Sequence, residues 1–266
     1  MIYWIVSFTT CIAGIIFLKE LFWPRGPRLC VLMYHKISGD GTRDFLTVSS
    51  IDFESHLAYL QADGYNTILL SDLSAYVHHN TPLPPRPVML TFDDGYLDNF
   101  HVMYPLLKKY RMKANIFLVA SFIDTTGKPS GTSQEVYMSV TDIHAMDSHL
   151  VEFGLHSYDH KSYKSLSHQE ISEDIDRTRQ LLQQYRINFQ QCLAFPYGAF
   201  PKTNAVKKRS FFNALKDSHI LLAFRIGNRL NPLPARNPLL FQRIDIRGAT
   251  PFDKFVQWVQ KGKKIC

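Results

Sequence analysis

The sequence predicts a single α/β domain, a barrel or an open parallel sheet, preceded by an N-terminal hydrophobic helix. Three observations predict it. Beyond residue 28, short apolar runs alternate with amphipathic stretches, as in repeated βαβ units. No Pro/Gly-rich linker divides that region. The 266 residues, 45% hydrophobic and 20% charged, are enough to bury one large core and exclude disorder as the main state. Thirteen Gly and fourteen Pro without a short period exclude collagen-like and repeat architectures.

Residues 2–18 form a run of seventeen without a charge, ended by Lys19-Glu20. That is the lower length limit of a membrane-spanning helix, and Tyr3, Trp4 and Trp23 stand where interfacial aromatics would. A basic leader and a small-x-small cleavage site are both missing, so residues 1–23 are expected to be a membrane anchor or uncleaved signal, with a buried first helix as the bland alternative. Lys19, Arg25 and Arg28 follow the run and no Lys or Arg precedes it, which by the positive-inside rule keeps the main domain in the cytoplasm.

After a spacer at 24–27, residues 29–34 (LCVLMY) read as a first buried strand. Residues 51–63 read as a helix with Phe53, Leu57 and Leu60 on one face and Gly64 as its stop. Strands are expected at 88–92, 114–119 and 151–155, with a helix over roughly 99–110. Ser167 and Glu170 make a capping box before the periodic Ile171, Ile175, Thr178, Leu181, Leu182 and Tyr185, a helix ending near Arg186. Later strands are expected at 191–195, 221–226 and around 243–246, before an amphipathic segment at 252–259.

The net charge is +7, but residues 201–266 alone carry +11, leaving −4 on residues 1–200. Lys207-Lys208-Arg209 and the tail lysines Lys261, Lys263 and Lys264 suit an anionic membrane surface, an anionic glycan or a solvated face. Nucleic acid is not an expected partner, because no aromatic-basic interleaving or reader motif accompanies them. Cys11, Cys30, Cys192 and Cys266 are too few and too scattered for a disulfide framework or a CxxC metal site.

In parallel α/β folds catalytic groups gather at the carboxyl ends of strands. Those ends here are His35, Asp93-Asp94-Gly95, His156-Ser157-Tyr158-Asp159-His160 and Pro196-Tyr197-Gly198. Two adjacent carboxylates at a buried strand end repel unless each has a counterpart, and a metal ion supplies one. His156 and His160 are the only pair at i, i+4 among eleven histidines, a spacing that can set both imidazoles on one side of a turn. An Asp-His-His set leaves a coordination position open for water, and the second carboxylate can then act as base. A lone strand-end Asp-Asp is often only a cap, and a lone strand-end His35 is more often a packed core histidine. His78, His79, His144 and His149 read as surface residues.

Thr91-Phe92-Asp93-Asp94-Gly95-Tyr96, then His156-Ser157-x-x-His160, then Phe195-Pro196-Tyr197-Gly198 resemble the first three motifs of the polysaccharide deacetylases with a NodB homology domain, carbohydrate esterase family 4. The similarity runs in order from about residue 29 to the C-terminus. Met33-Tyr34-His35 and Gln242-Arg243-Ile244-Asp245 resemble the poly-N-acetylglucosamine deacetylase branch of biofilm export systems. The resemblance implies a distorted (β/α) barrel of about seven strands over 29–266, acting as a metal-dependent hydrolase that removes N-acetyl groups from an amino-sugar glycan. It implies Asp93 as general base, Asp94, His156 and His160 as ligands of one divalent ion (zinc, with cobalt, nickel or manganese as alternatives), and Pro196 and Tyr197 in the substrate groove. His35 would be the general acid, as in the biofilm branch. The family's third-motif Arg, which pairs with the base, is replaced here in the region of Ala194 and Phe195, and Arg243 is the candidate to supply its charge. Leu155 stands where a Ser is common. The implied partners are an N-acetylated glycan, the membrane and polysaccharide-export proteins, with the catalytic domain outside the cytoplasm, against the positive-inside count. The rival readings are an inactive NodB-like glycan-binding module and a structural membrane partner of an export system.

Overall fold

The structure is a computed structural model, and residues 27–123 and 136–263 are described. Seven strands carry the fold: β1 (Arg28–Tyr34), β2 (Pro87–Asp94), β3 (Ala114–Leu118), β4 (Val151–Leu155), β5 (Cys192–Ala194), β6 (Leu222–Ile226) and β7 (Phe241–Asp245). Each pairs in parallel with its chain neighbour up to β6–β7, and β7 and β2 both pair in parallel with β1, so the sheet closes on itself as a seven-stranded barrel. The open-sheet alternative is thereby excluded. A short antiparallel strand, Asn231–Pro232, lies against the start of β1.

The period of two assigns each strand residue to the lumen or to the outer layer. Leu29, Val31, Met89, Phe117, Cys192, Ala194, Leu222, Phe224 and Phe241 form the lumen cluster. Their strand neighbours, among them Leu32, Leu90, Ile116, Leu193 and Ile244, pack outward against the helices. Gly154 is the concession that lets the lumen fill: a Cβ there would lie 2.7 Å from the Phe117 ring.

Among the described residues six helices of seven residues or more surround or plug the barrel, beside a five-residue helix at Val140–His144: α1 (Ser50–Ala62), α2 (Leu70–His79), α3 (Tyr104–Tyr110), α4 (His168–Gln184), α5 (Ala205–Asp217) and α6 (Phe252–Lys261). The expected capping box begins α4, where Ser167 Oγ accepts from the Glu170 N–H and the Glu170 carboxylate from the Ser167 N–H. The expected helix over 99–110 is divided, with a wide π-helical turn at Asn99–Met103 ahead of α3. Two of the six longer helices had no sequence expectation, α2 and α5. α2 closes the bottom of the barrel, burying Leu70 and Leu73 in the lumen cluster. Its first N–H groups donate to Asn115 Oδ1 and to Glu152, each at 2.8 Å, side chains of β3 and β4. With the bottom plugged, the upper end is left for a site.

The expected anchor or signal at 1–23 lies outside the described residues, as do Lys264 and Cys266. Among the described residues no helix is long and apolar enough to cross a membrane. Lys207, Lys208 and Arg209 lie on the exposed face of α5.

Candidate active site

The carboxyl ends of the strands surround a pocket of about 570 Å³. His35, Asp93, Asp94, His156, His160 and Tyr197 all line it, although their strands and turns span 163 positions of the sequence. Arg243 lies below them in the lumen, and Pro196 is buried within its turn rather than on the pocket wall.

Asp93 continues the lumen-facing series of β2 after Met89 and Thr91, so its carboxylate points up the barrel axis. An adjacent Asp94 would ordinarily face the opposite side of the sheet. Its backbone instead takes a left-handed φ of +73°, ending the strand and letting the second carboxylate enter the same pocket. Ser157 (+68°), His160 (+58°) and Tyr197 (+58°) share that rare conformation. Each such residue costs on the order of 1–3 kcal/mol, and clustering of this kind marks functional sites.

Asp94, His156 and His160 offer ligand atoms that all lie within 4.8 Å of one another. Asp94 Oδ1 is 3.5 Å from His156 Nε2 and 3.3 Å from His160 Nε2. His156 Nδ1 donates to the Ala194 carbonyl at 2.9 Å, which fixes the proton on that nitrogen and leaves the Nε2 lone pair toward Asp94. Burial pushes the His156 imidazole down to about 3, against the pull of Asp93, so it is neutral as a ligand must be. One carboxylate and two imidazoles therefore fit a divalent metal ion, and these three residues are the ones that would hold it.

The loop carrying both histidines is held from outside. Asp174 of α4 is buried and accepts from the Tyr158 N–H at 3.1 Å and from the Tyr163 hydroxyl. The Ser121 N–H donates to the Tyr158 carbonyl at 2.8 Å.

The second carboxylate has a different counterpart. Arg243 grips Asp93 through two bonds, NH1 to Oδ1 at 2.6 Å and NH2 to Oδ2 at 2.7 Å, with the guanidinium fully buried. Burial alone would raise the Asp93 carboxyl, but the Arg243 guanidinium holds it well below the ordinary carboxylate range. A buried guanidinium from β7 thus meets Asp93 at two points. His35 is half-buried at the end of β1; burial lowers its pKa, and Asp93 and Asp245 pull the other way. Its carbonyl accepts from Asn99 Nδ2 at 2.9 Å.

Other pocket residues carried no expected role, although Tyr96 and Asp245 stand within the quoted motifs. Asp245 is buried on the same face of β7 as Arg243, two residues on, and the period of two from Arg243 was the signal that could have found it. Tyr96, Tyr137 and Phe122 form a wall of rings, Tyr96 stacked on Tyr137 at 5.0 Å and Phe122 tilted against Tyr137 at 4.6 Å. The Tyr197 ring meets His160 edge-on at 4.5 Å. These aromatics come from separate loops, and no local pattern joins them.

The family profile described as polysaccharide deacetylase matches residues 80–211. The chain is 29% identical over 173 residues to YxkH of Bacillus subtilis (strain 168), covering 65% of this chain and 58% of that protein. It therefore spans less than two thirds of that relative's own length. It is 25% identical over 214 residues to the poly-beta-1,6-N-acetyl-D-glucosamine N-deacetylase of Staphylococcus epidermidis, covering 71% of this chain and 72% of that one. The solved structure of IcaB from Ammonifex degensii shares the fold, with a TM-score of 0.71 at 24% identity over 89% of this chain and 97% of the other. Residues 80–211, which hold both carboxylates, the paired histidines and the third-motif turn, therefore carry a polysaccharide deacetylase domain.

Proposed function

We propose that this protein is a metal-dependent hydrolase that removes N-acetyl groups from an N-acetylated amino-sugar glycan, with poly-N-acetylglucosamine as the favoured substrate. One observation carries the reading: an Asp-His-His ligand set lies in one pocket with an ionised carboxylate that is locked by a buried arginine. The name of the Staphylococcus epidermidis relative supports the substrate.

Asp94, His156 and His160 would hold a divalent ion, zinc by preference, which when bound would supply activation of water and polarisation of the amide carbonyl. Asp93 takes the water proton, and the bidentate grip of Arg243 fixes which way its oxygens point. The Tyr197 backbone N–H donates to the oxyanion of the tetrahedral intermediate, and His35 returns a proton to the departing amine. The products are acetate and a free amino sugar.

Incubation with β-1,6-linked N-acetylglucosamine oligomers and with chitin oligomers, with and without chelator, tests the reading. Chelator-sensitive acetate release is the expected result. Glycan binding without any release would instead make the protein an inactive binding module.

The proposal extends to residues 1–23 as a membrane anchor that holds the domain outside the cytoplasm, near an exported glycan and its export proteins. A reporter fused after Cys266 that scores as cytoplasmic would refute that placement.

A further inference from the structure

Among the described residues only two aromatic side chains are more than half exposed, Phe45 at 63% and Tyr197 at 67%, and both line the pocket. Exposed rings gathered at the rim of a concave site are the surface such a site offers a ligand. Tyr197 has a reason for its exposure in the motif that places it beside His160. Phe45 has none in the packing of this chain.

The loop carrying Phe45 is firmly built. The Asp44 carboxylate accepts from the Leu46 N–H and the Thr47 N–H, both at 2.7 Å, and from the Thr47 hydroxyl at 2.9 Å. The Gly248 N–H donates to the Asp44 carbonyl at 3.1 Å, and a Cβ on Gly248 would lie 2.2 Å from the Thr47 carbonyl. The two loops therefore interlock, and Phe45 is held in water by ordered backbone. Arg247 lies against its ring, 3.9 Å from guanidinium carbon to centroid. Arg247 is fixed in turn by Asp245 at 2.6 Å and by the Thr250 hydroxyl, which accepts from its N–H at 3.0 Å.

We infer that Phe45 and Arg247 form a sugar-binding platform for a unit of the glycan chain next to the one that reacts, so that the protein selects chains over single sugars. A pyranose has an apolar C–H face and a rim of hydroxyl and amide acceptors. A pre-ordered flat ring backed by a guanidinium fork answers both. Contacts made away from the reacting carbon raise kcat/KM only for substrates long enough to reach them. This inference rests on the deacetylase reading.

The test is kcat/KM of the zinc-loaded full chain on β-1,6-linked N-acetylglucosamine oligomers from monomer to hexamer. Wild type should gain with length. Phe45→Ala should flatten that gain, losing about tenfold on the hexamer and little on the monomer, an effect of the size expected for one aromatic contact. Phe45→Tyr keeps the ring and should restore the length dependence, and all three proteins should share one thermal midpoint. Equal loss at every length, or a wild type indifferent to length, overturns the platform. If wild type releases no acetate, the deacetylase reading fails instead. Calorimetric titration of the hexamer then decides the platform separately: weaker binding by Phe45→Ala supports it and equal binding overturns it.

Discussion

Asp93 and Asp94 are neighbours in the chain with different counterparts, and those counterparts set them apart. Asp93 stays charged although buried because Arg243 neutralises it at two points, while Asp94 turns to the histidines. Asp93→Asn should therefore abolish acetate release while leaving zinc affinity within a fewfold of wild type, as measured by competition with a chromophoric chelator. His156→Ala should lose both. Arg243→Met leaves a buried carboxylate without its partner and should cost about 3–5 kcal/mol in urea unfolding. Gly154→Ala should destabilise by about 1–3 kcal/mol through overlap with Phe117, and Gly154→Ala combined with Phe117→Leu should recover part of that loss.

At the scale of elements, helices hold the pieces of the site in register. Asp174 on α4 pins the loop that carries His156 and His160, in which Ser157 and His160 are left-handed. Asp174→Asn should weaken zinc binding by about 10–100-fold, the usual effect of losing support behind a ligand, and Tyr163→Phe should weaken it less. The docking of α6 on α1 turns on His56, whose buried ring stacks on Phe255 at 3.7 Å and meets the Tyr34 hydroxyl at 3.2 Å. Burial pushes this imidazole down to about 4, against the opposing charge of Asp52. The unfolded chain takes up that proton near pH 6.5 and the native state only near 4, so the stabilisation is complete above 6.5 and lost as pH falls. About 3 kcal/mol should disappear over that window. His56→Gln keeps a hydrogen-bonding side chain without the titration, and its urea midpoint should fall less steeply between pH 7 and pH 4.5.

For the whole molecule, barrel closure is what turns separate strand ends into one pocket. Metal binding to the native pocket alone should couple to global stability: zinc at a hundred times its dissociation constant should add about 2.7 kcal/mol, and chelator should remove it, read as a reversible shift of the thermal midpoint. Much of this molecule was legible beforehand because its signals are local. Apolar runs announced the seven barrel strands, the Ser167–Glu170 box announced α4, and strand-end chemistry announced Asp93, Asp94, His156 and His160. α2 went unread because its buried leucines are spent on the lumen rather than on a flanking layer, and α5 because its basic residues masked the spacing of Phe211, Ala214 and Leu215.

The sequence by itself determined where the barrel strands run and which chemistry stands at their carboxyl ends, since apolar runs and residue type are properties of a few neighbouring positions. Only the tertiary structure decided that the ring closes through β1, that Arg243 meets Asp93 across 150 positions, and that Phe45 and Arg247 stand together at the rim. Those are contacts between distant segments. They arise when closing the barrel buries both sheet faces at once, and no period within a single strand encodes which strand will lie beside it.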